Sequence, residues 1–218
     1  MAEFTFSDEQ NQLRASVRKF CSENFDEQSV RRLMESDPPF DSKVWTRLGS
    51  ELGVLGLSVP EADGGVGGTL VDQAVAVEEL GASLACGPVF GTVFLAIPAL
   101  VAASAGQVRD ELLAELVEGR RTAAFVVADR AGTLGAADAR SKTTEVSVTA
   151  DGDALTGTVE RVVDAGAADD LLVAARGVNG VTLYAVYASG PGVQRNPLVT
   201  LDPTRPQATV RLSGAPGR

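Results

Sequence analysis

Glu78 and Glu79 are adjacent carboxylates, the residue type that general acid–base chemistry recruits. On a helix, neighbouring side chains point about 100° apart, so this pair does not converge on one atom, and a solvated or capping role is expected. Asp169-Asp170 meets the same objection on a strand, where consecutive side chains face opposite sides. Arg120-Arg121 could meet an anionic ligand, yet adjacent arginines are ordinarily surface charge. Gly64-Gly65-Val66-Gly67-Gly68 has the glycine density of a phosphate loop. It lacks a following Gly-Lys-Ser/Thr and a preceding dinucleotide fingerprint, and so reads as a connecting loop. The chain has no histidine, which removes Ser-His-Asp triads, Cys-His dyads and the usual zinc sites. Cys21 and Cys86 have no CxxC partner and read as small core thiols. These residues alone yield neither a catalytic residue nor a metal site.

The 218 residues are 44% hydrophobic and 22% charged, a soluble globular composition large enough for a core without disulfides or a structural metal. The net charge of −10 repels phosphate backbones, and no basic patch is evident, so nucleic acid is excluded as a partner. The N-terminus lacks the basic start, apolar run and cleavage site of a secretory signal, which places the chain in the reducing cytoplasm.

Helical signals fill the first half. Ser7 and Gln10 form a capping box, followed by Leu13, Val17, Phe20 and Cys21 on one face. Val44, Trp45, Leu48 and Leu52 give a second helix that stops at Gly53. The glycine-dense stretch from Gly53 to Gly68 is a loop, after which Val71, Ala74, Val75, Val77 and Leu80 resume helical spacing up to Gly81. Between Glu79 and Arg109 there is no charge, but glycines and prolines leave Val89 to Ala105 too short for a membrane span. That segment is expected to be a buried central helix, and Val108, Leu112, Leu113 and Leu116 mark one more. Strand texture begins at Thr122. It includes the run Ala123 to Ala128, a hairpin turn at Asp151-Gly152-Asp153, and further strands at Leu171 to Ala175, Val181 to Tyr187 and Thr209 to Leu212. About six strands follow from this spacing. Helices followed by strands make an α+β chain: residues 1–120 a helical domain, residues 121–218 a β-domain.

The order of these features resembles the acyl-CoA dehydrogenase family. Leu52-Gly53-Val54-Leu55-Gly56-Leu57-Ser58-Val59-Pro60-Glu61-Ala62-Asp63-Gly64-Gly65-Val66-Gly67-Gly68, then Asp72 and Glu78-Glu79-Leu80-Gly81, matches a long pattern of that family. Its pattern is Leu-Gly-x-x-Gly-Leu-x-x-Pro-Glu-x-x-Gly-Gly-x-Gly, an aspartate, and Glu-Glu-Leu-Gly. Phe6-Ser7-Asp8-Glu9-Gln10 is similar to the start of the family's first helix. Leu155-Thr156-Gly157 and Ala168-Asp169-Asp170-Leu171-Leu172-Val173-Ala174-Ala175-Arg176 are similar to its middle β-domain. The resemblance implies an all-α N-terminal domain followed by an antiparallel β-barrel-like domain. In the family a C-terminal four-helix bundle, missing here, completes them and normally carries the catalytic glutamate.

The resemblance also implies α,β-dehydrogenation of an acyl-CoA thioester by FAD, on a fatty-acyl or steroid side chain, by an oxidoreductase subunit whose chain alone is inactive. Two segments would face the flavin. The first, usually Thr-Glu-x-x-x-Gly-Ser-Asp, is here Val127-Ala128-Asp129-Arg130-Ala131-Gly132-Thr133, which retains almost none of those polar groups. The second, usually Gly-x-Lys-x-Trp-Ile-Thr/Ser-Asn, is here Gly157 to Asp164, with Val159 at the lysine, Arg161 at the aromatic and Val163 at the hydroxyl. Val127, Ala128, Val162 and Val163 are therefore cofactor-facing by position only. Each hydrogen bond or ring-stacking interaction that these replacements eliminate weakens binding by about 1 kcal/mol, so FAD binding by this chain alone is expected to be weak or absent. The degraded segments favour a cofactor-poor subunit that assembles with a catalytic homologue into a hetero-oligomer, as in the acyl-CoA dehydrogenases of bacterial steroid side-chain breakdown. The alternative is a non-catalytic partner or scaffold.

Overall fold

A computed structural model describes residues 5–127 and 146–218, which divide into two units. Met1–Gly87 with Leu113–Arg120 forms the helical unit, and Pro88–Leu112 with Arg121–Arg218 forms the sheet unit.

In the helical unit α1 spans Asp8–Asn24, α2 Glu27–Met34, α3 Ser42–Ser50 and α4 Leu70–Ala82. The capping box expected at Ser7 is present: its hydroxyl accepts the Gln10 N–H while the Gln10 side chain accepts the Ser7 N–H. Val17, Phe20 and Cys21 are buried along one face of α1. The short α2 carries no long apolar stripe. It is started instead by Asp26, whose carboxylate accepts the Ser29 N–H. Gly53, at φ +64°, ends α3 by donating to the Gly49 carbonyl. The chain then doubles back on itself, with the amides of Val66, Gly67 and Gly68 bonding to the carbonyls of Gly56, Val59 and Leu57. Gly65 lies so close to this return that a Cβ there would sit 2.2 Å from the Val59 carbonyl oxygen. Thr69 and Asp72 form a second capping box at the start of α4.

In the sheet unit a π-helix at Val89–Ala96 runs into α5, Ile97–Ala102. Pro98 has no N–H to give and crowds the preceding turn, and the Ile97 amide reaches back five residues to the Thr92 carbonyl. Contrary to the expected all-round burial, this helix buries Gly91, Thr92, Val93, Ala96, Ile97 and Leu100 but exposes Phe90 and Phe94. The next helix, α6, spans Gln107–Val117 and crosses the boundary between the units.

Seven strands are described: β1 Ala123–Val126, β2 Val148–Asp151, β3 Ala154–Val163, β4 Asp170–Gly177, β5 Gly180–Tyr187, β6 Val193–Pro197 and β7 Gln207–Pro216. They form one sheet in the order β1-β4-β2-β3-β7-β6, with β5 on the other edge of β4. The α-then-β order stands, with two differences from the antiparallel barrel-like expectation. The sheet is mixed, because β1 and β2 both run parallel to β4, and among the described residues it does not close into a barrel. β1 pairs with Asp170–Val173 of β4 and β2 with Ala175 and Arg176, so the two lie end to end along one edge. Alternate residues Leu171, Val173 and Ala175 enter the sheet core together with Val148, Leu155, Val159, Val162, Val210 and Leu212. Among the described residues no helix is long and apolar enough to cross a membrane.

Candidate functional site

The sequence-predicted carboxylate pair is a fastening between helices. Gln10, Arg14 and Arg18 recur every four residues and form one stripe along α1. The Gln10 amide donates to Asp72 at 2.9 Å, Arg14 reaches Glu78 and Glu79, and Arg18 holds both Glu79 oxygens at 2.8 Å. Glu79 is buried, in contrast to the solvated or capping role expected for it. The Arg18 and Arg14 guanidiniums hold its carboxyl below the usual glutamate range, so it stays ionised and is unsuited to act as a base near neutrality. The Asp169-Asp170 pair is likewise engaged. Asp169 accepts the Thr122 N–H and hydroxyl, and the fully buried Asp170 is paired with Arg121 at 2.6 Å and Arg218 at 2.8 Å. The Tyr187 ring stacks 3.7 Å from the Arg218 guanidinium carbon. Arg121 is thus a structural counter-ion, and Arg120 pairs with Glu115 and Glu118. Cys21 and Cys86 are buried thiols, and burial pushes that of Cys21 up. Among the described residues no cluster of His, Cys, Asp or Glu could hold a metal ion.

Of the positions matched to the cofactor segments, Val162 and Val163 lie on β3. Val127 follows β1 and is half-buried, whereas Ala128 lies outside the described residues. On β3 a bulge sets Val159 opposite Val210 and Val162 opposite Ala208, so that Glu160 and Arg161 stand against the single residue Thr209. Arg161 in this bulge adopts φ +56°, with its exposed side chain near Glu160. The inserted residue turns both Val159 and Val162 into the sheet core, leaving Val163 half-buried.

Two bonds dock the π-helix on these strands. The Gly91 amide donates to the Asp164 carboxylate at 2.8 Å. Next to it, the Thr92 hydroxyl donates to the Ala123 carbonyl at 2.9 Å and accepts the Ala123 N–H at 3.0 Å. The end of β3 therefore lies beside the start of β1. Val163 sits there, and Val127 lies at the far end of β1, roughly 13 Å along an extended strand of this length. Phe90 and Phe94, their ring centroids 6.2 Å apart, are exposed on the same helix. The structure thus gathers Val163, Asp164, Gly91 and Thr92, and leaves Val127 apart. The side chains of Val127, Val162 and Val163 offer no hydrogen-bond donor or acceptor, so they do not fit the polar edge of a flavin. Sequence reasoning missed Asp164 and Thr92, because nothing local shows that a strand end and a helix 70 residues earlier meet. The Arg14 and Arg18 spacing was the available signal for Glu79.

The family model for the acyl-CoA dehydrogenase N-terminal domain matches residues 7–120. The chain belongs to the acyl-CoA dehydrogenase family. The chain is similar to acyl-CoA dehydrogenase IpdE2 of Mycolicibacterium smegmatis, at 38% identity over 120 residues, 55% of this chain and 37% of that protein. Among solved structures, it superposes on a chain of the ChsE4-ChsE5 complex from Mycobacterium tuberculosis with a TM-score of 0.79 and 27% identity, covering 99% of this chain and 56% of the other. It matches the Tcur3481-Tcur3483 steroid ACAD with a TM-score of 0.77 and 28% identity, covering 97% and 56% of the two chains. The chain thus spans between a third and three-fifths of the length of these relatives.

Proposed function

We propose that the chain is a subunit of a FAD-dependent acyl-CoA dehydrogenase that introduces a double bond next to the thioester of an acyl-CoA. In this reading it acts in the cytoplasm, assembled with a homologous subunit, and holds little flavin itself. The observation that carries the reading is the chemistry of the cofactor-facing positions. Val127 and the half-buried Val163 stand where the family pattern has hydroxyl side chains, and Arg161 stands in a bulge where the pattern has an aromatic ring. A subunit stripped of these groups still keeps the scaffold, which supports assembly with a chain that retains them. Two relatives whose names pair two different chains, ChsE4-ChsE5 and Tcur3481-Tcur3483, support the heteromeric form, and the second supports a steroid acyl group.

The test is flavin content and dye-coupled acyl-CoA oxidation, measured on the purified chain alone and on the chain co-expressed with an intact homologue. The chain alone is expected to be colourless and inactive, with both properties restored in the mixed assembly. Stoichiometric flavin absorbance or turnover by the chain alone would overturn the cofactor-poor reading. Failure of any intact homologue to co-purify would overturn the heteromer.

A further inference from the structure

One carboxylate joins the end of β3 to the π-helix. Asp164 adopts φ +61°, is 3% exposed, and accepts the Gly91 N–H in the first turn of that helix. Its own amide donates to the Pro206 carbonyl at 2.9 Å. The approach is close, for a Cβ at Gly91 would lie 3.0 Å from both Cβ and Oδ2 of Asp164 and 3.2 Å from the Val163 carbonyl oxygen. The helix is therefore seated on this residue with no side chain between them.

Among the described residues the charged surroundings are sparse. The π-helix Val89–Ala96, the strand Ala123–Val126 and residues 165–168 contribute no ionisable group. From the turn before β7, Arg205 faces Asp164 and lowers its carboxyl pKa, though less than burial raises it. The Arg195 guanidinium, from β6, donates to the carbonyls of Ala165, Gly166 and Ala168. On β3 itself Glu160 and Arg161 lie on the exposed side, and Asp169 is bonded to Thr122. Burial dominates and, against the opposing Gly91 N–H and then Arg205, pushes the Asp164 carboxyl up to about 6.

We propose that Asp164 is a proton-operated clasp: neutral, it keeps the first turn of the π-helix closed on β3; ionised, it releases that turn more often, and Phe90 and Phe94 with it. The ionised carboxylate recovers full hydration only when the helix lifts, so opening is favoured as the proton leaves. With the closed form titrating near 6 and the open form near 3.8, the opening constant rises roughly 20-fold between pH 4.5 and pH 7.5.

Native-state hydrogen exchange with mass spectrometry on the full chain tests this. Peptides covering 88–97 are followed from pH 4.5 to 7.5, corrected for chemical exchange, with peptides of β7 as the control. Protection in 88–97 is expected to fall roughly 20-fold in the wild type and to be flat with pH in Asp164→Asn, which keeps an acceptor for Gly91. A flat wild-type profile, or an Asp164→Asn profile with the wild-type slope, would overturn the clasp. If that variant does not fold, Arg205→Gln decides: the midpoint of the wild-type transition moves up when Arg205 is removed, and an unchanged midpoint rejects Asp164 as the titrating group.

Discussion

Two buried carboxylates in this chain carry opposite pH signatures. Glu79 is held below its ordinary value first by Arg18 and then, against burial, by Arg14. Its contribution is present above the ordinary value of 4.5 and is lost as pH falls through the lower native one. Asp164 is raised from 3.8 to about 6, so the native state keeps a proton that the unfolded chain releases. Its contribution is complete below 3.8 and fades as pH rises through about 6, by at most about 3 kcal/mol. Urea unfolding from pH 3.5 to 7.5 separates the two. Glu79→Gln is expected to lower stability by about 1–2 kcal/mol at pH 7 and to flatten the acid limb, since Gln retains only part of the hydrogen bonding to Arg18. Asp164→Asn is expected to be more stable than wild type above pH 6 and to lose the decline between pH 4 and 6. Asparagine is also the residue the family pattern carries at this place, and it tolerates a positive φ well. An Asp164→Asn protein that is less stable at pH 7 would contradict the desolvation argument.

At the level of elements, capping chemistry and glycine spacing were legible because they are local. Ser7 with Gln10, Gly53 after α3, the Gly53 to Gly68 loop and the Gly152 hairpin follow from residues within a few positions of one another. The glycine loop supplies a paired test by thermal melting. Gly65→Ala places a Cβ against the Val59 backbone and is expected to cost about 2–3 kcal/mol. Gly81→Ala, inside α4 with nothing within 4 Å, is expected to stabilise by about 0.5–1 kcal/mol. Equal effects of the two substitutions would rule out the close approach at Gly65. What stayed hidden depended on distant partners. The short α2 has little periodicity to read, the π-geometry arises from Pro98 against its own helix, and the burial of Glu79 and Asp170 is set by arginines far away in sequence. The site itself was legible only as positions. A bulge that turns Val162 inward and a helix docked beside Val163 come from pairing, which spacing along the chain does not encode.

For the whole molecule, the succession of glycine loop, acid pair and strand-rich half pointed to the family, because that order runs through most of the chain. Val199 and Leu201 are fully exposed, and the Asp202 carboxylate stiffens their loop by accepting the Thr204 N–H and hydroxyl. Replacing both by aspartate is expected to weaken association with the proposed homologous subunit in sedimentation velocity while leaving the unfolding free energy within about 0.5 kcal/mol of wild type. Unchanged sedimentation would show that these side chains take no part. The collinear arrangement of β1 and β2 has its own bearing on how this protein tolerates change. Both strands read along a single rail, Asp170–Gly177, with β1 ending opposite Val173 and β2 entering opposite Ala175. Because β5 pairs along the other edge of the same rail, a one-residue slip in β4 would dislodge three strands together.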